Sequence, residues 1–218
     1  MPQEPSRHSL KPMRGLTVLT GLLIVFLGSH SLLGNNSDEA ATPITQLDIP
    51  LTITQPGRYV VTEHLSMAGG VAISIRADDV HLNLNGFSLS GPLRSADQCL
   101  TGHLGFGILV AAPLDDPLEG VHITNGSVQG FSEGITLSSV KVGRLSGLTV
   151  TATCFSGIRL GSATDFDVSS NNVSSNFGWS VLLVRADHNR LKRNIVNGNA
   201  VLSPEDGDYD YAGYLLIS

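Results

Sequence analysis

The sequence predicts an all-β fold, a right-handed parallel β-helix in which each coil of the solenoid takes about 23 residues. Three observations predict it. Apolar slots recur at a step of 23: Ile135, Ile158 and Val181; Leu137, Leu160 and Leu183; Val150, Val173 and Val196; Phe131, Cys154 and Phe177. Within a coil, apolar residues alternate at period two, as in Ile158 and Leu160 or Phe166 and Val168, so the coils are built of short strands. Asn recurs at the same step, Asn171 with Asn194 and Asn176 with Asn199. Each strand then lies on its equivalent in the next coil, about 4.8 Å away, and inward slots stack like on like. The near-universal hand of parallel crossovers makes the solenoid right-handed. The Asn residues read as turn architecture, because Asn tolerates the left-handed backbone of a tight turn and stacked amides can hydrogen-bond along the stack.

The chain divides in order. Residues 1–34 form a targeting segment: Arg7, Lys11 and Arg14 precede the apolar run Leu16 to Leu27. It reads as a cleaved signal peptide or, if uncut, as an anchor just long enough to span a bilayer; either way the remainder sits outside the cytoplasm, in the periplasm, in the medium or on the outer side of a membrane. Residues 35–43 are polar and small, a linker. Residues 44–69 carry alternating strands broken by the turn Gln55-Pro56-Gly57, and are expected to cover the open end of the solenoid. Residues 70–218 hold five coils and part of a sixth. Insertions leave the coil at Pro92 to Leu104, Ala111 to Gly120 and Val201 to Ala212. Gly143 stands where the next coil has Phe166, and a local bulge that moves Val142 into the slot is one way to fill it. Leu215 and Ile217 restart the pattern where Val181 and Leu183 stood, which leaves an uncapped edge: either the chain is a piece of a longer solenoid or another chain covers the end in end-to-end association.

The runs Gly69-Gly70-Val71-Ala72-Ile73-Ser74-Ile75, Asp79 to Gly91 and Val121 to Phe131, the last followed by Gly134-Ile135, carry a resemblance. The chain resembles the large pectin-lyase-like, right-handed β-helix repeat family, including its uncharacterised secreted bacterial members, from about Ile53 to Ser218. The resemblance implies the fold. It leaves the activity open, since proteins of this fold include lyases, hydrolases, epimerases, binding modules and a copper-site maturation protein.

Composition excludes one class of partner. The net charge is −6, and three of the 13 basic residues lie in the targeting segment, so the folded part has no excess of basic groups with which to neutralise nucleic acid. The two cysteines, Cys99 and Cys154, leave two readings open. An exported chain with two Cys invites a disulfide, but the pair lies two coils apart and Cys154 shares its slot with Phe131 and Phe177, which suits a buried free thiol.

Candidate site residues follow from side-chain chemistry. His81 and His122 share one outward position, followed by Arg144, Asp167 and Arg190; the column suits an acidic glycan or a metal, although two His are an incomplete metal set, and a solvated, partly paired face is the plainer reading. Asp206, Asp208 and Asp210, spaced two apart, partly suit a Ca²⁺ loop but lack the Gly and closing Glu of an EF-hand; no cofactor is otherwise required. In the resembling lyases the first-strand face clusters acidic Ca²⁺ ligands beside an Arg or Lys base. The matching row here reads Ser74, Leu109, Thr136, Arg159 and Leu182, with one Arg and no acidic neighbour. Trp179 at the start of coil five, Arg159, and Asp97 and His103 in the first insertion have the composition of a sugar-binding surface, where a ring stacks on a sugar face and polar groups take its hydroxyls. The alternative for Trp179 is folding down over Phe177 to cap the core edge. Two function classes follow: a non-catalytic exported module that binds polysaccharide or serves as envelope structure, and a polysaccharide lyase or epimerase. Metal-site maturation of the copper-binding β-helix type is a third.

Overall fold

The computed structural model describes residues 40–93, 95, 97–101, 104–198, 201–202, 209–210 and 214–217. The targeting segment, His103, Asp206 and Asp208 lie outside the described residues. Among the described residues no helix is long and apolar enough to cross a membrane.

The chain winds as a right-handed parallel β-helix. Its rungs are β2 (Leu51–Ile53), β3 (Gly57–Val61) and β4 (Leu65–Ser66); β5 (Val71–Ile75), β6 (Val80–Asn83) and β7 (Ser88–Ser90); β8 (Phe106–Ala111) with the long β9 (Leu118–Gln129); β10 (Glu133–Ser138) with β11 (Val140–Thr151); β12 (Ser156–Gly161), β13 (Thr164–Ser169) and β14 (Asn172–Ser174); and β15 (Trp179–Val184), β16 (Arg190–Lys192) and β17 (Ile195–Asn197). First strands stack into one parallel sheet in the order β2-β5-β8-β10-β12-β15, and second strands into another, β3-β6-β9-β11-β13-β16, with β1 (Thr42–Ile44) against β3. The register is the predicted one: Ile135 pairs with Ile158, Ile158 with Val181, and Val150 with Val173. These side chains are fully buried and merge into one apolar core running the length of the solenoid.

The structure departs from expectation at five points. The 44–69 segment is itself built as a coil, since β2, β3 and β4 pair in parallel with β5, β6 and β7. At the other end, a strand at Tyr214–Ile217 pairs with β15 one residue out of the expected register, Tyr214 with Val181 and Leu216 with Leu183. No bulge fills the slot at Gly143: Gly143 pairs with Phe166, and Val142 points to solvent at 54% exposure with φ of 50°. The ring of Phe166 occupies the room, because a Cβ on Gly143 would stand 2.5 Å from it.

The fourth departure concerns the ladder asparagines. The left-handed residue at each of these corners is the one before the Asn: Ser170, Ser175, His188 and Arg193 have φ between 54° and 57°. The Asn side chains repair the ladder that the corner breaks. Asn171 accepts from Leu148 N–H and donates to the Leu145 carbonyl. Asn176 does the same with Thr153 and Val150, Asn189 with Phe166 and Ala163, and Asn194 with Asn171 and Val168. Buried backbone groups need partners, and a carboxamide supplies one donor and one acceptor at a fixed separation.

The fifth is Cys99, in the single-turn helix Gln98–Thr101, which is bonded to Cys154 with the Cα atoms 5.3 Å apart. Cys154 is buried as its slot predicts, at 6% exposure, but it is not a free thiol. Two coils amount to about 10 Å along the axis, and the first insertion spans that distance beside the wall.

Candidate functional site

Two outward surfaces carry the chemistry, one on each sheet. On the first sheet the residues opening successive strands fall in one column: Val71, Phe106, Glu133, Ser156 and Trp179. Phe155, just before β12, is 49% exposed. Phe106, Glu133 and Phe155, with Gly105 and Ser132, line an open cavity of about 320 Å³. Trp179 stands one rung further along, its backbone N–H donating to the Phe155 carbonyl at 2.7 Å. The indole is half-buried and takes no part in the core cluster.

Arg159 is not without an acidic neighbour. Glu133 accepts a hydrogen bond from Thr136 Oγ1, and its other oxygen lies 3.8 Å from the Arg159 guanidinium. The Arg159 Nε and the Ser156 Oγ are buried and make no hydrogen bond within the chain. A buried donor without a partner is costly, and a ligand hydroxyl is one group that could relieve it. The disulfide fastens the first insertion to the same corner, where Leu104 N–H also donates to Ser132 Oγ. Asp97 is exposed on that insertion. Glu133, Phe106 and Phe155 are additions that sequence reasoning passed over; carrying the register back to the residues before each first strand would have found the column.

On the second sheet, Arg58, His81, His122 and Arg144 pair in succession, one per rung. The imidazoles of His81 and His122 stack face to face, with centroids 4.4 Å apart and planes 10° from parallel. Beside them Asn83, Thr124 and Ser146 form a parallel polar column, and the whole encloses a shallow cavity of about 360 Å³. Burial holds the His122 pKa below its ordinary value, with further lowering from His81 and Arg144 against a small opposite effect of Asp79. The column changes sign at Asp167, which pairs with Lys192 at 3.3 Å. A hydrogen bond from Ser169 holds the Asp167 carboxyl below the usual range; burial opposes it, and Lys192 and then Arg144 add to the lowering. Asp210 lies in a short antiparallel pair, Val201–Leu202 with Tyr209–Asp210, and among the described residues no three His, Cys, Asp or Glu converge.

A family model described as periplasmic copper-binding protein (NosD) matches residues 70–211. No curated protein and no solved structure matches the chain. The match covers well over half of the sequence and falls on the coils described above. The chain is an exported right-handed parallel β-helix protein and belongs to the NosD family.

Proposed function

We infer that this protein is a non-catalytic binding module whose first-sheet face takes a saccharide. The observation that carries the reading is the open cavity lined by Phe106, Phe155 and Glu133, with Arg159 paired to Glu133 and Trp179 one rung further along the same column. Aromatic faces left outside the core suit the apolar face of a sugar ring, while Arg159, Ser156 and Glu133 offer donors and acceptors for its hydroxyls. Asp97, on the tethered insertion, would add a polar group at the same corner, and a part for His103 rests on the sequence alone. A lyase or epimerase is less well supported: among the described residues no acidic cluster accompanies Arg159 to hold Ca²⁺. A Ca²⁺ role for Asp206, Asp208 and Asp210 rests on their spacing alone.

Copper handling is the second reading, favoured by the family match. The described residues fit a bound copper poorly. Both cysteines are consumed by the disulfide, and among the described residues no set of three ligating groups converges. The His81 and His122 rings lie in near-parallel planes, so their nitrogens do not converge on one point, and Arg58 and Arg144 flank them with positive charge.

The test is retention of the exported domain on immobilised neutral and acidic glycans, alongside ultraviolet monitoring for unsaturated product and equilibrium dialysis against copper. Retention that Trp179→Ala abolishes, with stability within ~1 kcal/mol of the parent, supports the first reading. Unsaturated product, or stoichiometric copper with no glycan retention, overturns it.

A further inference from the structure

The geometry points to a second binding site on the opposite sheet: the column Arg58, His81, His122 and Arg144, with its polar companion Asn83, Thr124 and Ser146, fits a short acidic oligosaccharide lying along the solenoid axis. Four cationic or protonatable groups stand at the rung interval, about 4.8 Å apart. Parallel register without a stagger keeps them in line. One carboxylate per sugar along a linear chain presents negative charge at a comparable interval, so successive acid groups can each meet a rung. Guanidinium forks bind carboxylates by paired, charge-assisted hydrogen bonds. The neighbouring amide and hydroxyls, one residue pair along each strand, stand where sugar hydroxyls would fall.

Three observations separate this from an ordinary solvated face. Among the described residues neither Arg58 nor Arg144 is in an ion pair. The two imidazoles are stacked on one another, an arrangement that disfavours charge on both and that a bridging anion would relieve. The column also has an end: Asp167, already engaged by Lys192, turns the next rung negative and limits the footprint to about four sugars. The overall charge of −6 argues against a nucleic acid as the polyanion. This site shares no residue with the first-sheet surface, so either can fail without the other.

The groups that face His122 are His81 from β6, Arg144 from β11 and Asp79 at the entry to β6, with Arg58 one rung beyond. A carboxylate placed against this set favours protonated imidazole, so binding takes up protons and tightens as pH falls.

Calorimetric titration of the whole exported domain with tetragalacturonate at pH 5.5 and pH 7.5 tests the proposal. Digalacturonate, a neutral cellotetraose and inorganic phosphate serve as comparison ligands. The tetramer is expected to bind more tightly than the dimer and more tightly at pH 5.5. Arg58→Gln and Arg144→Gln should each weaken it about tenfold, the scale of one charge-assisted contact. His122→Gln should remove the pH dependence, and Trp179→Ala should leave this binding unchanged. Absence of tetramer binding at pH 5.5, equal binding of cellotetraose, phosphate binding as tight as the tetramer, or full affinity in the Arg58→Gln, Arg144→Gln double variant would overturn it. Circular dichroism of each variant confirms that a lost affinity is not a lost fold.

Discussion

Asn176 grips Thr153 of the preceding coil through a single carboxamide oxygen, which accepts the Thr153 backbone N–H at 3.0 Å and its hydroxyl at 2.9 Å. The Asn176 amide nitrogen donates to the Val150 carbonyl at 3.2 Å, and both Asn176 and Thr153 are buried. Removing the carboxamide therefore strands three buried polar groups at once. At roughly 1–3 kcal/mol for each unsatisfied group, Asn176→Ala should cost about 3 kcal/mol or more. Urea unfolding should show a lower midpoint with an unchanged slope. A loss below about 1 kcal/mol would mean that water replaces the amide and that the ladder is not what closes this corner.

Gly143 is a packing residue, not a flexible one. A Cβ there would meet the Phe166 ring at 2.5 Å and the Val121 carbonyl oxygen at 2.3 Å. Gly143→Ala is expected to destabilise by about 1–3 kcal/mol, the usual range for overpacking. Adding Phe166→Leu should recover part of the loss and not add to it, and a double-mutant cycle reads the difference. Strict additivity would place the conflict at the Val121 backbone alone.

The neighbouring Val142 holds a β-branched side chain at φ of 50° while being 54% exposed. The side chain contributes little burial and carries the steric cost of the left-handed region. Val142→Asn should stabilise the domain by up to about 1 kcal/mol, since Asn visits that region readily. A lower melting temperature in this variant would show that the exposed valine makes a contribution that strain does not outweigh.

The periodic part of this molecule was legible because the 23-residue step is itself the register: Ile135, Ile158 and Val181 are partners by count alone. What was not legible lies where the step breaks. Phe106 and Glu133 become neighbours only once the insertion between them, Ala111 to Gly120, is discounted. Cys99 reaches Cys154 because the insertion travels along the axis, a path no repeat encodes. The stacking of His81 on His122 was half visible: their common outward position follows from the motif, but the ring geometry does not. The asparagine role was read correctly as architectural and incorrectly as conformational, since Ser170 and Ser175 take the turn that Asn171 and Asn176 then seal.

The disulfide closes a loop with a sequence separation of 55. On the chain-entropy account a loop of that size stabilises by about 4 kcal/mol. Cys99→Ser with Cys154→Ser should lower stability toward that amount, while the rungs on either side stay paired. Hydrogen exchange should rise first in Gln98–Thr101 and at Leu104, the segments the bond fastens to the wall. Exchange that rises uniformly along the solenoid would indicate that Cys154 matters as core filling more than as a tether.

His122 supplies the last prediction, with its sign fixed by the direction of the shift. Its pKa in the folded protein is depressed from the ordinary 6.5, chiefly by burial and then by the charges of His81 and Arg144. Between the two values the unfolded chain binds the proton and the folded one does not. Stability is therefore undiminished above about pH 6.5, falls as pH drops through that value, and levels off once the folded imidazole is also protonated. Urea midpoints from pH 7.5 down to 4.5 should trace this decline, and His122→Gln should flatten it. Saturating tetragalacturonate should reverse the trend in the parent protein, because an anion on the column makes the protonated imidazole the favoured form. A slope that survives His122→Gln unchanged would assign the pH dependence to other groups and remove the titrating element from the proposed anion site.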